Sequence, residues 1–207
     1  MRPAPDYTLM YVTDPDAPGG LIETALAAAR GGAGIVQLRD KRSGDMALAE
    51  AARALVAALA PLGAPLIVND RIGVAAASGA AGVHLGQGDE CPAKARALLG
   101  PSALIGLSVE TPAHAADADP AADYLGAGPL RATATKRDAA APLGLEGVAE
   151  TIRLARRPVV VIGGVVAADA PGLKAAGAAG LAVVSAIAAS PEPETAARGL
   201  IEAWRRA

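Results

Sequence analysis

Two carboxylates stand out by position. Asp70 closes the apolar run "PLIVND", and Asp89 follows the run "GVHLGQ". Cationic and amide side chains gather at matching places: Gln37, Arg39, Asp40 and Lys41 at the end of "GIVQLRDK", and Asn69 beside Asp70. Ser108 ends "ALIGLS", Thr133, Thr135 and Lys136 lie in "TATK", and Ser185 follows "GLAVV". Paired carboxylates without a cluster of histidines or cysteines suit a hard cation. Mg²⁺ takes one or two protein carboxylates and completes its shell with phosphate oxygens and water. Arg39, Lys41 and Lys136 then supply positive charge for a polyphosphate, Arg through its bidentate fork. A diphosphate is the natural ligand of that set.

A second anion site is suggested by "VIGG" and "AVVSAI". Gly163 and Gly164 let backbone amides approach an anion with no side chain in the way. Structural explanations compete for several of these residues. Asp70, Asp89 and Ser185 each precede a helical stretch and could cap it. Arg39 and Lys41 could form a solvated rim, and His84, inside an apolar run, reads as a satisfied core histidine. Asp14 reads as a turn residue, and His114 falls in a helical surface stretch.

The elements that must position these groups alternate along the whole chain. The runs "TLMYVTD", "GIVQLRD", "PLIVND", "GVHLGQ", "ALIGLSV", "DYLGAGP", "RPVVVIGG" and "GLAVVSAI" read as strands. Segments such as "DMALAEAARALVAALAPLG" and "LEGVAETIRLARR" between them carry apolar residues at spacings of three and four, the period of an amphipathic helix. Strict alternation predicts parallel pairing with crossover helices. Eight units predict a (β/α)8 TIM barrel formed by residues 1–207 as a single domain, ahead of a doubly wound open sheet. In such a barrel the C-terminal strand ends build the active site, and the loops after strands seven and eight bind phosphate. "RGGAG", "ASGAAG" and "AAGAAG" run glycine into strands, as expected where helices close in the left-handed conformation. The connection over 129–143 is unusually long for this architecture and reads as a binding loop.

Composition excludes several classes. Phe is absent, aromatics make up 2% and the formal charge is −2, so neither base stacking nor a basic footprint for nucleic acid is available. Cys91 is the only cysteine, which excludes an intrachain disulfide or a Cys-rich zinc site. No apolar run reaches the roughly 18 residues that span a bilayer, and the first residues lack a signal-peptide core. The expectation is a cytoplasmic protein with small-molecule partners, no membrane or nucleic-acid partner, and room for a homo-oligomer.

In order and spacing, "VQLRDK", "VNDR", "GVHLGQGD", "IGLS", "GAGP" followed by "TATK", and "VIGG" resemble the thiamine phosphate synthase family over nearly the whole length. The resemblance implies Mg²⁺-dependent joining of 4-amino-2-methyl-5-hydroxymethylpyrimidine diphosphate to a thiazole phosphate, with release of diphosphate. It implies that Gln37, Leu38, Arg39, Asp40, Lys41, Asn69, Ser108 and Lys136 contact the pyrimidine diphosphate. Arg39 and Lys136 carry the catalytic charge, Asp70 and Asp89 ligate Mg²⁺, and Thr133, Thr135, Gly164, Val184 and Ser185 hold the thiazole phosphate. Arg131 departs from the family's loop, where an apolar or proline residue is expected. The alternative is a TenI-like thiazole tautomerase or non-catalytic regulator; such relatives lose the metal carboxylates and the TxTK segment, both intact here. A phosphate-binding protein without turnover leaves the paired acids unused, and a sugar-phosphate isomerase needs an acid/base pair that the sequence does not offer.

Overall fold

The computed structural model describes residues 5–133 and 140–207. Eight strands close into one barrel in chain order, every neighbouring pair parallel: β1 (Leu9–Val12), β2 (Ile35–Leu38), β3 (Leu66–Asn69), β4 (Gly82–Leu85), β5 (Leu104–Val109), β6 (Tyr124–Ala127), β7 (Val159–Val161) and β8 (Gly180–Val183). The closing pair is β1 with β8, in the register Met10 opposite Ala182. The helices are α1 (Leu21–Arg30), α2 (Asp45–Leu59), α3 (Ile72–Ser78), α4 (Pro92–Leu99), α5 (Pro112–Ala116), α6 (Gly144–Leu154), α7 (Ala170–Ala175), α8 (Ser185–Ala188) and α9 (Pro193–Arg206). The expected (β/α)8 barrel is what the chain forms.

Alternation along each strand separates two cores. Outward residues such as Leu9, Val36, Leu38, Val68, Leu85 and Val161 meet the helices, while Met10, Val12, Ile35, Ile67, Leu104, Tyr124, Val160 and Ala182 fill the barrel. Helix α2 turns Leu48, Ala49, Ala52, Leu55 and Leu59 inward, spacings of three and four that make one apolar stripe. Each fully buried aliphatic side chain of this kind contributes about 1.5–3 kcal/mol. Helix α9 begins with Pro193, whose fixed φ suits a first turn, and buries Ala197, Leu200, Ile201 and Trp204.

The glycine echoes divide into two kinds. Gly79 and Gly177 have φ of 73° and 92°, the left-handed chain reversal expected at a helix end. Gly31 has an ordinary φ of −73° and does a different job. A Cβ there would stand 2.5 Å from the Glu194 carbonyl and 2.6 Å from Ala197 Cβ, so its smallness lets α1 and α9 touch.

The first described end of the long connection is tied to the loop after β7, and the second end is tied to the first. Leu130 and Arg131 donate their amides to the Ile162 and Gly163 carbonyls at 2.8 and 3.1 Å. Leu143 donates to the Pro129 carbonyl at 2.8 Å and Gly144 to Leu130 at 3.1 Å.

Candidate active site at the barrel mouth

A cavity of about 420 Å³ opens at the C-terminal ends of the strands. Gln37, Arg39, Lys41, Asn69, Asp70, Asp89, Ser108, Thr133, Gly164, Val184 and Ser185, singled out from sequence, all line it. Leu38 and Asp40 do not. Strand alternation turns the Leu38 side chain outward, where it is fully buried against helices. Asp40 accepts hydrogen bonds from the Arg42 amide at 2.8 Å and the Ser43 hydroxyl at 2.6 Å, which folds the loop after β2. Thr135 and Lys136 lie outside the described residues.

Capping is not the work of the acids. Helix α3 starts after Arg71 and α4 after Cys91, neither with a side-chain cap. Asp70 instead adopts φ 64°, a left-handed conformation that Asp tolerates better than most residues and that recurs at functional sites. Its amide is held by the His84 carbonyl at 2.8 Å. Asp89 accepts from the Gly86 amide at 2.6 Å. Burial first, then a hydrogen bond and charge repulsion from Asp89, push the Asp70 carboxyl up to about 6, against the pull of Lys41 and Arg39. Lys41 Nζ stands 3.6 Å from Asp70 Oδ2.

Two carboxylates that line one cavity, one of them disfavoured as an anion by burial and by the other's charge, make a donor set that a divalent cation would satisfy. No group of three His, Cys, Asp or Glu occurs among the described residues, so such a cation takes its remaining ligands from phosphate and water. Arg71, next in sequence, turns away from the cavity. Its guanidinium donates to the Ser43 carbonyl at 2.6 Å and to Asp45 at 3.0 Å, bracing the loop after β2. Thr13 fixes the same loop's start, accepting the Arg39 amide at 2.9 Å.

In the floor, sequence reasoning missed Tyr124 and read His84 as a core histidine. His84 bonds Tyr124 Oη through Nδ1 at 2.8 Å and Ser108 Oγ through Nε2 at 2.9 Å. Gln87 donates to the Ser108 carbonyl at 2.6 Å, and Gln37 to the Met10 sulfur at 3.4 Å. Room for the His–Tyr pair comes from two glycines: a Cβ at Gly106 would collide with His84 Nδ1 and Tyr124, and one at Gly126 would stand 2.9 Å from His84 Cε1. The signal was present as "GVH", "IGLS" and "YLGAG", glycine at facing strand positions beside one polar ring.

On the opposite side, Gly163 and Gly164 have φ of 95° and 68°, so both amides belong to a turn that side chains rarely adopt. A Cβ on Gly164 would stand 2.5 Å from Arg131 Cγ. Arg131 lies over this turn, donating to the Gly164 carbonyl at 2.6 Å and to both Asp169 oxygens at 2.7 Å. That fork holds the Asp169 carboxyl below its ordinary range and explains why the departure at Arg131 fits here. Ser185 opens the short helix α8 without capping it.

A parallel (β/α)8 barrel whose mouth sets paired carboxylates and cations opposite a glycine turn defines an enzyme that handles phosphorylated substrates. The family model for thiamine monophosphate synthase matches residues 9–187. The thiamine-phosphate synthase of Xanthobacter autotrophicus is 54% identical over 94% of this chain and 94% of its own. That of Azorhizobium caulinodans is 51% identical over 97% and 98%. The solved thiamine phosphate pyrophosphorylase from Pyrococcus furiosus superposes with a TM-score of 0.87 at 30% identity, covering 97% of this chain and 96% of that one. The chain belongs to the thiamine monophosphate synthase family, and its activity is thiamine phosphate synthesis, a transferase reaction.

Proposed function

We propose that the mouth holds the pyrimidine diphosphate between the Asp70–Asp89 rim and the His84–Ser108 floor, with the thiazole phosphate against the Gly163–Gly164 turn. The observation that carries this is that Asp70 and Asp89 line one cavity with Arg39 and Lys41, with Lys41 Nζ 3.6 Å from Asp70 Oδ2. Mg²⁺ bound by these carboxylates supplies positive charge for the departing diphosphate. Arg39 and Lys41 hold diphosphate oxygens, and Lys136 joins them by the family motif. Asn69 and Ser108 orient the diphosphate from β3 and β5. Thr133, Gly164, Val184 and Ser185 hold the thiazole phosphate, with Thr135 assigned by motif alone.

An aminopyrimidine supports positive charge at its exocyclic methylene, so the carbon–oxygen bond breaks ahead of carbon–nitrogen bond formation. The residues stabilise leaving negative charge and hold the thiazole nitrogen in line with that carbon. The nucleophilic nitrogen carries no proton, so no general base is needed. Met10, Val12 and Ile162 line the cavity's apolar side and keep water from the cationic carbon. No helix among the described residues is long and apolar enough to cross a membrane, which fits action in the cytoplasm on small soluble substrates. Incubation of the full chain with both substrates and Mg²⁺ should yield thiamine phosphate and diphosphate in equal amounts. Diphosphate release with no new carbon–nitrogen bond would overturn the assignment of the thiazole side.

A further inference from the structure

We infer that Tyr124 and His84 are positioning residues that fix the Ser108 hydroxyl as a hydrogen-bond donor into the cavity, aimed at the diphosphate leaving group. The argument is a proton inventory. Tyr124 is fully buried, and burial keeps its phenol protonated, so it has one proton to place. Among the described residues two acceptors lie within reach: His84 Nδ1 at 2.8 Å and the Met10 sulfur, a weak acceptor, at 3.9 Å. The proton therefore goes to Nδ1. A neutral imidazole has a single N–H, so accepting at Nδ1 leaves its own proton on Nε2. Nε2 then donates to Ser108 Oγ at 2.9 Å. Having accepted from the ring, the Ser108 hydroxyl has its own proton free to donate to a substrate oxygen.

Two features restrict this chain to one arrangement. Gln87 grips the Ser108 carbonyl at 2.6 Å, which fixes the backbone that carries the hydroxyl. Gly106 and Gly126 remove the side chains that would otherwise fill the space of the His84 and Tyr124 rings. Packing alone calls for branched apolar residues at such interior positions. A donor placed where negative charge develops on a departing oxygen strengthens as the bond breaks, which is the useful direction for this reaction. The catalytic part of this inference rests on the proposed contact between Ser108 and the pyrimidine diphosphate; the tautomer does not.

The test is ¹⁵N NMR of the full chain carrying labelled histidine. His84 and His114 are its only histidines, so a His114→Gln variant assigns both. At pH about 8, above the ordinary histidine range, His84 should show a bare Nδ1 and a protonated Nε2. Tyr124→Phe should give a mixture of tautomers. It should also lower kcat about tenfold, in line with one misdirected hydrogen bond to a developing charge, while KM for the thiazole phosphate stays put. In a Ser108→Ala background the same change should cost nothing further. An Nδ1-protonated His84 in the unaltered protein overturns the inference, and that measurement needs no variant to fold. The expected tautomer together with additive losses in the double variant overturns the positioning role while leaving the proposed function standing. Failure of the unaltered protein to make thiamine phosphate overturns the reading underneath.

Discussion

The rim carboxylates should weaken the metal-free protein, and Asp70→Asn measures by how much. The native state holds the Asp70 proton more tightly than the unfolded chain does, because burial and Asp89 raise its pKa from 3.8 to about 6. The group's favourable contribution is therefore complete below pH about 3.8 and is lost as pH climbs through about 6. Unscreened, a displacement of that size corresponds to about 3 kcal/mol. The Asp70 side chain is 26% exposed and Lys41 stands 3.6 Å away, so water and a cation reduce the effect to about 1 kcal/mol. Asn keeps the shape and tolerates the left-handed φ of 64°, whereas Ala would add backbone strain that confuses the result.

Thermal unfolding in chelator should place Asp70→Asn above the unaltered protein at pH 8 by roughly 2–4 °C, and level with it near pH 3.5. Excess Mg²⁺ should reverse the order. A ligand at about 100 times its Kd stabilises the form that binds it by about 2.7 kcal/mol, and the variant has lost one of the two carboxylates. Turnover by the variant should fall severely. A variant no more stable than its parent at pH 8 without metal would refute the repulsion at the rim. Equal stabilisation of both proteins by Mg²⁺ would remove Asp70 from the metal.

Gly106→Ala places a methyl group against the His84 and Tyr124 rings and should cost about 1–3 kcal/mol in urea unfolding, with loss of activity; an unchanged midpoint would show that the floor can yield. Arg131→Ala breaks the fork to Asp169 and frees the Gly164 carbonyl. It should raise KM for the thiazole phosphate several-fold and leave KM for the pyrimidine substrate alone, since among the described residues the Arg131 side chain bonds Gly164 and Asp169, on the side of the glycine turn. Equal changes in both constants would mean that the fork serves folding and not the site.

The barrel was legible because its signal is repeated eight times: β-branched runs of about four residues, each followed by a segment of helical period. The rim was legible for a related reason. A strand that ends in Asn69-Asp70 or runs into Gln87 and Asp89 departs from its apolar pattern at one end only, and chain direction says which mouth that end faces. The Leu38 side chain stays out of the cavity because strand alternation puts neighbours on opposite faces. Asp40 stays off the cavity lining because a carboxylate beside Arg42 and Ser43 takes up their local amides and hydroxyl. His84 was set aside because one ring in an apolar run looks the same whether it fills space or lines a cavity. Its partners lie 24 and 40 residues away, and only the closed barrel brings them together.

The same alternation that turns Leu38 outward explains how a chain this rich in alanine can carry so polar a centre. Outward strand positions spend nothing on chemistry: Val36, Leu38, Val68, Val83, Leu85, Ile105 and Leu125 are fully buried against the helices. At about 1.5–3 kcal/mol each, a few such residues outweigh the roughly 1 kcal/mol of rim repulsion and the strain of one left-handed Asp. Inward positions are thereby free to be small or polar at the mouth, with Gly106, Gly126, His84 and Ser108 above the apolar layer of Ile35, Ile67 and Leu104. A substitution in the outer layer should therefore be felt as lost stability with kcat intact, and one in the inner upper layer as the reverse. Gly106 belongs to both accounts, because the space it leaves is occupied by the two rings that aim Ser108.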